Sequence, residues 1–156
     1  HPRVRRQRQM CIRDRHDLHH FLRSGYLYSS RAITREVCSG ELMPGQPKIL
    51  EFLLIHDGCT QREISQGCLL DKSTVTSLLS RMEKSGLITK RPEGKDRRCW
   101  RVCLTAEGRD RAASVTRVCT DIDDSAWKNI SPEEQETFIR TFEKIMENLK
   151  RLEENL

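Results

Sequence analysis

Between Thr60 and Leu104 the sequence sets helix caps, apolar helical faces and glycine stops in an order that leaves little freedom of fold. Thr60 is an N-cap signal, and Glu63 three residues later completes a capping box that opens a third helix over Gln61-Arg62-Glu63-Ile64-Ser65. Gly67 is expected to break it. Asp71 caps a fourth helix over Ser73 to Lys84, which turns Val75, Leu78, Leu79 and Met82 inward before Gly86 ends it. Leu87 to Arg91 and Cys99 to Leu104 then read as two strands of a hairpin, joined by the charged, glycine-containing tip Pro92-Glu93-Gly94-Lys95-Asp96-Arg97-Arg98.

Two short helices joined by a tight turn, the second longer, form a helix-turn-helix. With the hairpin they describe a winged helix, so the expected fold class is mainly α with a small β-hairpin wing (α+β). The flanks extend it. A first helix runs from about His16 to Cys38, with Leu18, Leu22, Ile33 and Val37 at helical spacing, and Ser39-Gly40 stops it. A second starts near Pro44, carries Ile49, Leu50, Phe52, Leu53 and Leu54, and ends at Asp57-Gly58. So apolar a run predicts a buried central helix. Thr105 caps a fifth helix, and the capping box Ser131-Pro132-Glu133-Glu134 opens a sixth. There Phe138, Phe142, Ile145, Leu149, Leu152 and Leu156 recur at alternating spacings of four and three residues, the pattern of a helix–helix seam.

The 156 residues suit one domain, and no run of about 18 apolar residues suggests a membrane span. The formal charge of +5 invites a nucleic-acid reading, but it is unevenly placed. Residues 1–15 hold six of the 28 Lys and Arg and one of the 23 Asp and Glu, so the rest of the chain carries 22 of each. Arg5 to Asp14 can be written in codons that look like the transposase adapter used in DNA sequencing libraries. We therefore read residues 1–15 as a translated adapter, not native sequence, and residues 16–156 as one domain, with a winged helix over 42–105 flanked by helices in 16–38 and 106–156. Of the seven Cys, Cys11 falls in the leader. Cys38, Cys59, Cys68, Cys99, Cys103 and Cys119 form no CxxC pair, and with no secretory signal they are expected as reduced thiols of a cytoplasmic protein.

DNA is suggested by local chemistry rather than net charge. The fourth helix opens with Lys72, Ser73, Thr74, Thr76 and Ser77, small hydroxyls and a cation that let a helix approach base edges and phosphates closely, and Arg81 lies one turn further on. Lys95, Arg97 and Arg98 put three cations on the wing tip, where arginine can enter a narrow minor groove, and Asp96 is placed to brace one of them.

The segments LMPGQPKIL (42–50), CTQREIS (59–65), LDKSTVTSLLSRMEKSGLI (70–88) and DRRCWRVCLT (96–105) resemble the MarR family of bacterial transcription regulators. Asp96, Arg98, Leu104 and Thr105 fit that family's wing motif, and Gly86-Leu87-Ile88 its helix-to-strand junction. The resemblance implies a homodimer built from the first, fifth and sixth helices, with Leu18, Leu22, Phe138, Phe142, Ile145, Leu149 and Leu152 as interface residues. The sixth-helix seam by itself would be satisfied equally by the first helix of the same chain. The resemblance also implies a ligand-responsive repressor on a pseudo-palindromic operator. Lys72, Ser73, Thr74, Thr76, Ser77 and Arg81 would sit in the major groove, and Arg97 and Arg98 in the minor groove. Ser77 departs from the larger polar or basic residue common there.

The same resemblance implies a small aromatic or anionic effector, for which Phe21, Tyr26, Tyr28 and Trp100 are possible pocket residues. Two other readings stand beside it: a winged helix that binds protein, and a thiol sensor of the same fold. Some relatives sense peroxide through a first-helix cysteine, where this chain has Arg23. Cys59, Cys68, Cys99 and Cys103 lack the paired close spacing of a structural zinc site, and His16 and His20, an i, i+4 pair that can bind a metal, read rather as exposed polar residues, so no metal or cofactor is expected. No Ser/His/Asp set, phosphate-cradling loop or carboxylate pair points to an enzyme.

Overall fold

Side-chain caps fix where the helices begin. Thr60 and Ser131 accept from the backbone N–H three residues on, and Glu63 and Glu134 accept the two cap amides in return at 2.6 and 2.9 Å. The computed structural model describes residues 17–37, 42–93 and 96–155, without the side chains of 93–99. Its order is α1 (Leu18–Val37), α2 (Gln46–Ile55), β1 (Cys59–Thr60), α3 (Gln61–Cys68), α4 (Lys72–Lys84), β2 (Ile88–Glu93), β3 (Asp96–Leu104), α5 (Ala106–Ala126) and α6 (Pro132–Glu154). This is the mainly helical winged fold expected. Residues 1–16, Cys38 to Glu41 and Leu156 lie outside the described residues, as does the proposed adapter.

The chain divides into two compact units at Ile122/Asp123, within α5. In the first, α2, α3, α4, the sheet and the start of α5 close on one core, centred on Ile49, Leu53, Ile64, Leu79, Met82 and Val102. All four inward residues expected on α4 are buried. Val37, at the end of α1, packs against this core.

Four expectations need correction. The second helix starts at Gln46 rather than Pro44, because Gly45 takes a left-handed φ of +92° that no helical turn contains; the proline at its start is Pro47. The helix is not buried throughout, since Leu54 and Ile55 are exposed on its outer side. Gly67 does not break α3. It lies inside the helix, where a Cβ would come 2.0 Å from Phe52 Cε2, so it serves close approach of α2. The helix ends instead at Leu69, a left-handed cap with φ +50°. Lastly, the wing strands run further toward the tip than 92–98 as a loop would allow, pairing up to Glu93↔Asp96 across an irregularity at Pro92/Glu93.

Pro92 is tolerated because β2 is an edge of the antiparallel order β1-β3-β2. The short β1, with Cys59 opposite Val102 and Thr60 opposite Arg101, had no sequence signal of its own. At the root of the wing Asp57 accepts the Leu104 amide at 2.8 Å and pairs with Arg109 of α5. Thr105 caps α5 as expected, accepting the Gly108 amide at 2.9 Å while donating to the Gly86 carbonyl at 2.6 Å.

The second unit is the end of α5, a turn and α6. Trp127, Phe138 and Phe142 form an aromatic ladder, edge-on at 5.7 Å and then stacked at 5.5 Å. No residue of α6 is buried. Phe142 and Ile145 are half-covered, whereas Phe138, Leu149 and Leu152 of the same seam are exposed.

Candidate nucleic-acid interface

Asp71 orders the first turn of α4. Its Oδ1 accepts the Thr74 amide at 2.8 Å and the Ser73 hydroxyl at 2.5 Å, and its Oδ2 accepts the Thr74 hydroxyl at 2.5 Å. These donors, Ser73 first and then Thr74, hold the Asp71 carboxyl well below the usual carboxylate range. The charged cap sits where the helix dipole favours an anion.

Successive α4 residues are rotated by about 100°. The buried stripe of Val75, Leu78, Leu79 and Met82 therefore leaves Ser73 and Ser77, with Ser80 and Lys84, along the middle of the opposite face. Lys72 and Thr76 lie on the flank toward α3, and Thr74 and Arg81 on the other. Lys72, Ser73, Thr76 and Ser77 are exposed and Thr74 is half-buried, so the structure brings together the expected first two turns. Arg81 is set apart from them: its Nη1 donates to Met43 Sδ at 2.7 Å, in the segment that leads into α2.

One participant had been missed. Gln61, the first residue of α3, donates from Nε2 to Thr76 Oγ1 at 2.5 Å and reaches the Lys72 carbonyl at 3.5 Å. Thr76 Oγ1 donates to that same carbonyl at 2.7 Å. The signal available in the sequence was an amide side chain at a helix start; its partner, 15 residues away, could not be read from spacing. Beside α4, Lys90 of β2 pairs with Glu83 at 2.7 Å and ties that edge strand of the wing to the helix. The expected wing residues Lys95, Asp96, Arg97 and Arg98 fall outside the described side chains, so the bracing by Asp96 is among those that the structure does not address.

Burial makes Cys59 and Cys68 poor nucleophiles. Desolvation, reinforced at Cys59 by the Glu63 charge, pushes both thiols up to about 11. Among the described residues, no group of His, Cys, Asp and Glu is arranged to hold a metal ion, and no helix is long and apolar enough to cross a membrane.

Comparison with known proteins agrees with this geometry. A family model described as the MarR family matches residues 42–98. The transcriptional regulator HosA of Escherichia coli O157:H7 is 28% identical over 106 residues, covering 68% of this chain and 78% of HosA. The organic hydroperoxide resistance transcriptional regulator of Bacillus subtilis is 33% identical over 84 residues, 51% of this chain and 57% of that one. Among solved structures, MepR of Staphylococcus aureus bound to DNA superposes with a TM-score of 0.75 at 21% identity, covering 83% of this chain and 95% of MepR. BpsR of Bordetella bronchiseptica, whose DNA binding is regulated by 6-hydroxynicotinic acid, gives 0.74 at 21% identity, covering 83% and 98%. At these identities the two structures speak to fold.

Proposed function

We propose that this chain, whose residues 42–98 match the MarR family, acts as a homodimeric, ligand-responsive, DNA-binding repressor. Each protomer lays the outward face of α4 in the major groove of one half of a pseudo-palindromic operator. The wing tip, through Lys95, Arg97 and Arg98, reaches the adjacent minor groove. The observation that carries this reading is the exposed first two turns of α4, where Lys72, Ser73, Thr76 and Ser77 stand outward on a helix whose other side is anchored in the core.

The dimer would form through the apolar seam of α6 together with α1 and α5, including Leu18 and Leu22. Exposed Phe138, Leu149 and Leu152 support the need for a partner surface. The effector would be a small aromatic or anionic compound. A cavity of about 330 Å³ between α1 and α2 is lined by Tyr26, Ser30, Thr34, Pro47, Lys48 and Glu51. Lys48 Nζ lies 5.7 Å from the Tyr26 ring centroid, so a cation and an aromatic face meet there. Phe21, Tyr28 and Trp100, expected as lining, are exposed elsewhere. Binding acts by population shift, favouring protomer arrangements whose recognition helices no longer match successive major grooves.

A DNA titration across salt concentrations tests the core of this reading, comparing wild type with Arg97→Ala/Arg98→Ala on DNA flanking the native gene. Phosphate-mediated binding must weaken steeply with salt, and the wing variant should lose part of that slope. Absence of DNA binding by a dimeric, folded protein would move the assignment to the protein-interaction reading.

A further inference from the structure

Hydrogen-bond polarity on α4 constrains which bases this protein can read, granted that α4 is its recognition helix. A hydroxyl has one proton to give and two lone pairs with which to accept. Three of the four hydroxyls in the first two turns have committed that proton internally: Ser73 and Thr74 to the Asp71 carboxylate, and Thr76 to the Lys72 carbonyl. Ser77 makes no hydrogen bond within the described residues and keeps its proton. Thr76 is constrained twice over. Its proton is drawn to Lys72 O, and the Gln61 amide occupies one lone pair with a donor of its own, so the proton cannot turn that way. The side chain is nevertheless exposed, with one lone pair left to face a groove.

We infer that Thr76, held by Gln61, reads its base position as a hydrogen-bond acceptor only. In the major groove adenine and cytosine present an amine, while guanine and thymine present a carbonyl oxygen. An acceptor-only hydroxyl bonds the first pair and opposes its lone pair to the oxygen of the second. Every base pair carries one amine in that groove, so Thr76 decides which strand bears it. The operator half-site therefore prefers A or C over G or T at one position on the contacted strand. Gln61 is a positioning residue: it touches no base and acts by fixing the polarity of Thr76.

The test is selection of binding sites from randomised DNA duplexes by the full chain, followed by titration of the selected half-site with all four bases at each position. Wild type should favour the amine-bearing bases by about tenfold at one position, since a buried polar atom without a partner is costly. Thr76→Val, nearly isosteric, should erase that preference and leave the others. Thr76→Ser should retain it, which separates the hydroxyl from a methyl–thymine contact. Gln61→Met should relax it toward all four bases with little change at other positions. A keto base selected at the Thr76 position, or no change of any base preference in Thr76→Val, overturns the inference while leaving the regulator reading in place. Failure of folded wild type to enrich any site overturns that reading and the inference with it. Melting curves exclude unfolding, and should Thr76→Val not fold, the serine and Gln61 variants decide the matter.

Discussion

Leu69 is a large apolar residue in a left-handed conformation, φ +50°, with 85% of its surface exposed. Such a cap favours glycine, and its side chain packs on nothing that would repay the strain. Leu69→Gly is expected to stabilise the fold by about 0.5–1 kcal/mol, a rise of roughly 2 °C in melting temperature by calorimetry. Asp71 predicts the opposite sign and a pH signature. Because its folded pKa is depressed, the native state holds fewer protons than the unfolded chain. Its contribution is complete above the ordinary carboxylate pKa of about 4 and drains away as pH falls below it. Asp71→Ala should melt lower than wild type at pH 7, and the gap should shrink on acidification; a constant gap would show that the carboxylate charge is not what caps α4. Cys59 and Cys68, raised to about 11, carry almost no thiolate at neutral pH. Iodoacetamide should leave both unmodified in the native protein, read by mass spectrometry, and label them once denaturant is added.

Between elements, two glycines set the closest approaches. A Cβ on Gly108 would lie 1.9 Å from the Leu87 carbonyl oxygen, and one on Gly67 2.0 Å from the Phe52 ring. Backbone cannot swing aside as a half-buried ring can. Gly108→Ala should therefore destabilise by about 2–3 kcal/mol and Gly67→Ala by less, measured by urea unfolding. These contacts also show where the sequence was legible. Capping boxes at Thr60 and Ser131, the Asp71 cap and the inward face of α4 depend on residues three or four apart, and all are found where spacing placed them. Gly67 reads locally as a stop, but its meaning lies in Phe52 across a helix interface. Likewise β1 exists because β3 is there to pair with it, and Gln61 matters because Thr76 folds onto it. Where a role depends on a distant partner, a single sequence gives composition but not the pairing.

For the molecule as a whole, α6 is a 23-residue amphipathic helix without one buried residue. If a second copy covers its seam, Leu149→Glu/Leu152→Glu should yield a folded monomer in sedimentation and weaken operator binding by more than tenfold, because two half-sites would no longer be engaged together. A double variant that stays dimeric would place the interface elsewhere. The lone carboxylate of Asp57 has a consequence of a mechanical kind. It grips the last amide of β3 with one oxygen and an α5 guanidinium with the other, at the foot of a hairpin whose far strand is an edge. The hairpin is thus a lever pinned at its base, with the Lys90–Glu83 pair as a second tie. Exchange of the Leu104 amide with solvent deuterium serves as the gauge of that joint, and loosening it by Asp57→Ala would let the wing sweep a wider arc with its own strands intact.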